Sequence, residues 1–241
     1  MKKIFITIGF VILGALLLFL VSYKNQTDNF SGFLDTSQNQ NQTPTYPEQV
    51  LISVPFTSQA PFAQWEDDRF QDGCEEAAVI MAVAWTNNQT LTPQGVTDEI
   101  IRVSAWENEQ YGSYHDTSVE DTVDRIINRY YNYPNVLTSR DSTIDEIKKQ
   151  LALGKLVIAP IDGTIIGNPN YTQPGPPRHM IVVVGYDEVQ QEFITNDPGT
   201  RKGENYRYNY ETFFNAIRDY PTGHKNPILG IEKKIIIVGK P

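Results

Sequence analysis

Gly73-Cys74-Glu75-Glu76-Ala77-Ala78-Val79-Ile80-Met81-Ala82-Val83-Ala84-Trp85 predicts a helix from Cys74 to Trp85 that is apolar on nearly every side. A helix with no polar face has to be buried, so it marks the centre of a domain rather than its surface. Downstream the period changes. Leu156 to Ile161, Met180 to Tyr186, Glu192 to Thr195 and Lys234 to Val238 are short, β-branched-rich runs between turn residues, the pattern of strands. Around the central helix, Val50 to Phe56 reads as a short strand. A helix opens at Thr92-Pro93, another near Thr117 with Glu120 completing a capping box, and a third runs Thr143 to Leu153 before Gly154. Helices first and strands afterwards predict an α+β domain, its helices packed on an antiparallel sheet.

The domain is expected over residues 50–241. Residues 1–23 carry Lys2 and Lys3 before an apolar run from Ile4 to Val21, about 27 Å of helix, close to the roughly 30 Å of a bilayer core. Ser22-Tyr23-Lys24 is a poor cleavage site. The segment therefore reads as a membrane anchor, with a cleaved signal peptide as the alternative. The positive-inside rule then puts the chain beyond Tyr23 outside the cytoplasm. Residues 24–49, rich in Asn, Gln, Ser and Thr, read as a disordered linker.

The chain of 241 residues has 20 basic and 29 acidic side chains, a net charge of −9. That balance excludes a nucleic-acid partner, which needs a basic excess against phosphate. One cysteine and three histidines exclude a disulfide framework and a multi-thiolate zinc site. No His-x-x-x-His spacing occurs, so metal-dependent hydrolysis is not expected, and no cofactor is called for.

Cys74 heads the buried helix, where the helix dipole and free amide hydrogens favour a thiolate. Glu75 and Glu76 oppose this if they point at the sulfur; they read either as first-turn capping acids or as a cleft wall preferring basic groups. A thiol nucleophile needs a histidine. His179 ends the Gly/Pro-rich stretch Gly163 to Arg178 and opens a strand, whereas His115 and His224 lie in loops and read as surface residues. The strand of His179 turns near Glu188 to Gln191 and returns toward Asn196-Asp197. One of these two would orient the imidazole, the choice resting on a register that pattern alone leaves open within one residue. Trp65, Phe70, Tyr111, Tyr114, Tyr130, Tyr131 and Tyr133 would serve a peptide groove or, more simply, the core.

Taken together, Val54-Pro55-Phe56-Thr57-Ser58-Gln59, Gly73-Cys74-Glu75-Glu76-Ala77, His179 to Asp187 and Asn196-Asp197-Pro198 resemble the papain-fold cysteine peptidases related to bacteriocin leader peptidases, the C-thirty-nine-like family. The resemblance covers most of the chain from Val50 onward. It implies a papain-like fold, a peptide or protein substrate and an acyl-enzyme mechanism. Cys74 would be the nucleophile, His179 the base and acid, and Asp197 its orienting group. Gln59 would donate to the oxyanion beside the Cys74 amide. Gln59 lies farther from the cysteine than the family pattern has it, which leaves Gln64 and Gln71 as rivals. A wall-peptide amidase with the same triad and an inactive papain-like binding module are the alternatives.

Overall fold

The structure is a computed structural model that describes residues 46–241. The expected anchor of residues 1–23, and the expected linker as far as residue 45, lie outside the described residues. The compact unit runs from Tyr46 to Pro241. Among the described residues no helix is long and apolar enough to cross a membrane.

The β-branched runs form one antiparallel sheet. Its strands are β1 (Gln49–Leu51), β2 (Val136–Ser139), β3 (Leu156–Ile161), β4 (His179–Asp187), β5 (Glu192–Asn196), β6 (Tyr206–Asn209) and β7 (Ile235–Val238). The spatial order is β2-β7-β3-β4-β5-β6. β3 pairs with the first half of β4 and β1 with its last three residues, both antiparallel. The expected Val50–Phe56 strand therefore shortens. Ile52 still donates to the Val184 carbonyl at 2.8 Å, but Pro55 has no N–H to continue a ladder. Gly185 is required where β1 crosses β4, because a Cβ there would stand 2.2 Å from the Val50 carbonyl oxygen.

The helices are α1 (Asp68–Gln71), α2 (Cys74–Thr86), α3 (Pro93–Tyr111), α4 (Val119–Asp121), α5 (Ile144–Ala152), α6 (Gly163–Ile166) and α7 (Tyr210–Ala216). α4 continues as a π-helical segment, Thr122–Tyr130. α2 covers one face of the sheet. Ala78, Val79, Met81 and Ala82 pack there with Leu156, Ile158, Met180, Val182, Val184 and Ile236. On the other face Ile147 and Leu151 of α5 and Phe213 and Ala216 of α7 meet Val157, Ala159, Ile181, Val183 and Ile235. A strand covered on both faces has to be apolar throughout, which is why β3 and β4 read as continuous hydrophobic runs.

A bulge between Val183 and Gly185 shifts the β4–β5 register by one. It also turns Tyr186 onto the face of Ile181 and Val183, where plain alternation would put it with Val182 and Val184. The helix expected near Thr117 is capped by Ser118, whose hydroxyl accepts from the Asp121 amide at 3.2 Å. Thr117 is buried and bonded to the Thr122 hydroxyl at 2.7 Å instead. β2, β6 and α7 were not foreseen by pattern; each is short and half polar, so neither period stands out in its sequence.

Candidate active site

Cys74 opens α2 after Gly73, and its sulfur is buried. The first-turn amides of a helix have no intrahelical acceptor, so the Cys74 N–H is available to an incoming oxygen. The thiol donates to Glu75 Oε2 at 3.1 Å, and Tyr220 Oη donates to Glu75 Oε1 at 2.6 Å. Burial, and then the Glu75 carboxylate, push the thiol well above its ordinary value. The expected dipole effect is therefore outweighed, because Glu75 does point at the sulfur. Of the two expectations for the acidic pair, the cleft wall fails, while both acids do stand in the first turn of α2. Glu75 and Glu76 are 1 % exposed and line no cleft, and Glu76 turns to the Ser104 hydroxyl. The reason lies in α2 itself: a helix covered on all sides covers its first turn too.

Facing this helix end, His179 opens β4 and is buried. Its Nε2 lies 2.8 Å from Asp197 Oδ1. The Asp197 carboxylate is fully buried and accepts five hydrogen bonds. Oδ1 takes His179 and the Gly199 amide at 3.0 Å. Oδ2 takes Tyr171 Oη at 2.6 Å, Tyr208 Oη at 2.7 Å and Asn168 Nδ2 at 3.1 Å. Burial alone would raise this carboxyl, but the His179 charge and these donors outweigh it and hold the group below its usual range. Gly199 is a close approach: a Cβ there would stand 2.9 Å from His179 Cε1 and Nε2.

Of the two return-strand residues, Asp197 stands at the histidine. Asn196 donates to the Val54 carbonyl at 3.3 Å and accepts from the Asn205 amide at 3.1 Å. It thus ties the N-terminal segment to the sheet. That segment is also clipped to the residue after Asp197, since the Gln59 amide and the Ser58 hydroxyl both donate to the Pro198 carbonyl, at 2.9 and 3.2 Å.

Cys74, His179 and Gln59 share the wall of one cavity of about 1160 Å³. Gln59 is buried there, and its Nε2 donates to the Phe70 and Gln71 carbonyls at 2.9 and 3.0 Å, leaving Oε1 without a partner. Gln71 also lines the cavity, whereas Gln64 turns away to the Phe62 amide and the Thr97 hydroxyl. Of the seven aromatics singled out in the sequence, Trp65 alone is part of the wall. Phe70 is packed in the core of α1, α2 and α3 with Ala77, Ile80 and Ile100.

Sequence reasoning missed Asn168, Tyr171 and Tyr208. The first two lie in the Gly163–Arg178 stretch, whose length already marked it as functional, but nothing in its pattern singles out which polar residues turn inward. It also missed that His115 and His224 stand together at the cavity's edge. Their imidazoles lie 2.8 and 3.1 Å from one oxygen of Asp72.

Similarity to known proteins agrees with this architecture. The comparison with curated proteins returned no match. Among solved structures, a C39-like peptidase from Bacillus anthracis aligns with a TM-score of 0.52 at 16 % identity, covering 81 % of this chain and 99 % of that one. Xylellain, a cysteine protease from Xylella fastidiosa, aligns at 0.45 and 16 % identity over 82 % of this chain and 87 % of that one. The likeness to the Bacillus protein carries the fold. The family is given by the sequence itself, because residues 51–223 match the model of the Peptidase_C39 like family. The chain belongs to that family of papain-like cysteine peptidases.

Proposed function

We propose that the protein hydrolyses peptide bonds through an acyl-enzyme on Cys74, with His179 as base and acid and Asp197 as its orienting group. The observation that carries this is the His179 Nε2–Asp197 bond of 2.8 Å, which leaves Nδ1 for a second partner in the cavity shared with Cys74. In the first step the thiol leaves Glu75 and passes its proton to Nδ1. The thiolate attacks the carbonyl carbon, the C–N bond breaks, and the amine departs with that proton. Water, deprotonated by the same imidazole, then cleaves the thioester and restores the thiol. The Cys74 amide stabilises the oxyanion. Gln59 serves as the second donor once its Nε2 releases one of the two carbonyls it now holds.

The substrate in this reading is a peptide or protein outside the cytoplasm, the domain being tethered through the apolar segment Ile4 to Val21. The burial of Cys74 against Glu75 favours the other reading, a papain-like module that only binds. Peptide hydrolysis together with iodoacetamide labelling at neutral pH separates them. The peptidase reading expects cleavage lost in both Cys74→Ala and His179→Ala, and thiol labelling slowed by His179→Ala. Labelling unchanged by that substitution, with no cleavage by the parent protein, sinks it. Soluble peptides set against purified wall material distinguish a general peptidase from a wall amidase. Protease accessibility of the domain on intact cells tests the location.

A further inference from the structure

Three polar side chains at the cavity's edge have no part in the chemistry above. Asp72 follows α1. His115 lies between α3 and α4, and His224 between α7 and β7, so three separate chain segments meet. Asp72 Oδ2 is 2.8 Å from His115 Nδ1 and 3.1 Å from His224 Nε2, and the three atoms all lie within 4.8 Å of one another. The imidazoles stack with their centroids 4.6 Å apart.

The arrangement is held by backbone as well as by side chains. The Gly223 amide donates to the carbonyls of His115 and Asp116, at 3.1 and 2.8 Å, and so fastens one histidine loop to the other. Arg178 braces the same loops from the far side. It donates to the Lys225 carbonyl at 2.5 Å and to Asn226 Oδ1 at 2.8 Å, with Nε 3.6 Å from Asp116. Asp116 Oδ2 lies in turn 3.4 Å from His224 Nε2, an outer carboxylate beside the inner one.

Two imidazole nitrogens and one carboxylate oxygen are the donor set of a zinc-type ion. Calcium and magnesium are held by oxygen alone. Ligands about 2.0–2.2 Å from a tetrahedral zinc stand slightly more than 3 Å from one another, so the two carboxylate–imidazole separations of 2.8 and 3.1 Å need only small adjustments to admit the ion. The His224 side chain is 55 % exposed, and it and Asp72 both line the cavity. An ion can therefore reach these atoms from the cavity.

We propose that Asp72, His115 and His224 bind a zinc-type divalent cation at the rim of the cavity that holds Cys74. The bound ion ties the end of α1, two residues before Cys74, to the loops of His115 and His224. This proposal does not depend on peptide hydrolysis and is tested without it.

The full chain is used in its Cys74→Ala form, so that thiol ligation contributes nothing. Calorimetric titration with zinc is expected to show one equivalent bound, with a Tm that rises with zinc concentration and no such rise with magnesium. Adding His115→Ala and His224→Ala together should weaken binding by more than the roughly 10–100-fold that loss of an outer partner costs. Asp72→Asn, which keeps the side chain's shape, should weaken it as well, with the far-UV circular dichroism unchanged. Failure of the Cys74→Ala protein to bind zinc overturns the proposal. So does stoichiometric binding that survives the double histidine substitution, or equal binding of magnesium.

Discussion

Two buried carboxylate sites lie on either side of the candidate catalytic cavity, and they are built in opposite ways. At the sheet end, Asp197 is fully buried and accepts five hydrogen bonds, one of them from His179. At the helix end, Glu75, Glu76 and Glu107 are just as buried, yet both oxygens of Glu107 and one of Glu76 have no partner. The outcome is a reversal of sign. Asp197 is held below its usual value. Burial, with Asp116 adding to it, drives Glu75 up to about 8. Burial, with Glu75 adding to it, drives Glu107 to about 8 as well. Burial is common to both sites, so the number of donors decides which carboxyl stays charged. The sheet end is a fixed negative charge that can hold an imidazole. The helix end is a proton store beside the thiol.

The largest effect is expected where the charge is fixed. Asp197→Ala leaves Tyr171, Tyr208, Asn168 and His179 with buried donors and no acceptor, and should cost about 3–5 kcal/mol of stability, read from urea unfolding. Asp197→Asn keeps the volume but offers donors to donors. In the proposed triad it should lower peptide hydrolysis by about 10⁴-fold while the fold persists. An Asp197→Ala protein that unfolds no more easily than the parent would mean that the carboxylate is not held as described, and the contrast with the helix end would collapse.

Next in size is the loss of one donor. Tyr208→Phe removes a charge-assisted hydrogen bond to Asp197 and leaves the other four. A loss of about 1.5–3 kcal/mol is expected. Because the carboxyl is held low, the stability it contributes is present above its unfolded value and is lost as pH falls through the folded one. In the Tyr208→Phe protein the folded value moves up toward the unfolded one, so that acid loss should be smaller and complete at a higher pH than in the parent. Urea midpoints measured from pH 5 downward give the comparison, and superimposable acid limbs would show that Tyr208 does not help to hold the charge.

The two sites were unequally legible in the sequence. The β3 boundaries were readable to the residue, and α2 and β4 to within one, because each is apolar throughout and bounded by turn residues. The pairing of His179 with Asp197 followed from a hairpin of known length. The choice between Asn196 and Asp197 did not, because the bulge between Val183 and Gly185 shifts the register by one, and only Gly185 hints at it. The Asp197 donors come from the Gly163–Arg178 stretch and from β6, whose pattern carries no period. The helix end was misread for a different reason. Glu75 and Glu76 read as first-turn capping acids or as a cleft wall, and only the packing of Tyr220 and Ser104 over the first turn makes them interior. His115 and His224 are far apart in sequence, and no local spacing brings them to Asp72.

A smaller effect is expected at the thiol. Glu75→Gln keeps a side chain able to meet both Tyr220 and the sulfur, but removes the carboxylate that raises the thiol. Alkylation of Cys74 by iodoacetamide at pH 9, above the Glu75 value of about 8, should become several-fold faster, since more of the sulfur is then thiolate. Unchanged labelling would leave burial as the whole cause of the raised thiol, with the neighbouring carboxylate contributing nothing.

The most selective change is Glu107→Gln, whose effect on stability is smallest near pH 4.5 and grows as pH rises. On α3, Glu107 faces Glu75 and Glu76 of α2, with Asp121 and Arg125 on the other side. Its folded value of about 8 stands above an ordinary glutamate near 4.5. The folded state therefore binds the proton more tightly than the unfolded state does. Stability from this group is complete below about pH 4.5 and is lost as pH rises toward 8, the reverse of Asp197. Glutamine imitates the protonated acid. The variant should match the parent near pH 4.5, to within about 0.5 kcal/mol, and should exceed it at pH 8. Urea midpoints across that interval measure the difference between the two slopes. Parallel slopes would place the charge of Glu107 in contact with solvent, and the helix end would no longer differ from the sheet end in the way its unpartnered oxygens require.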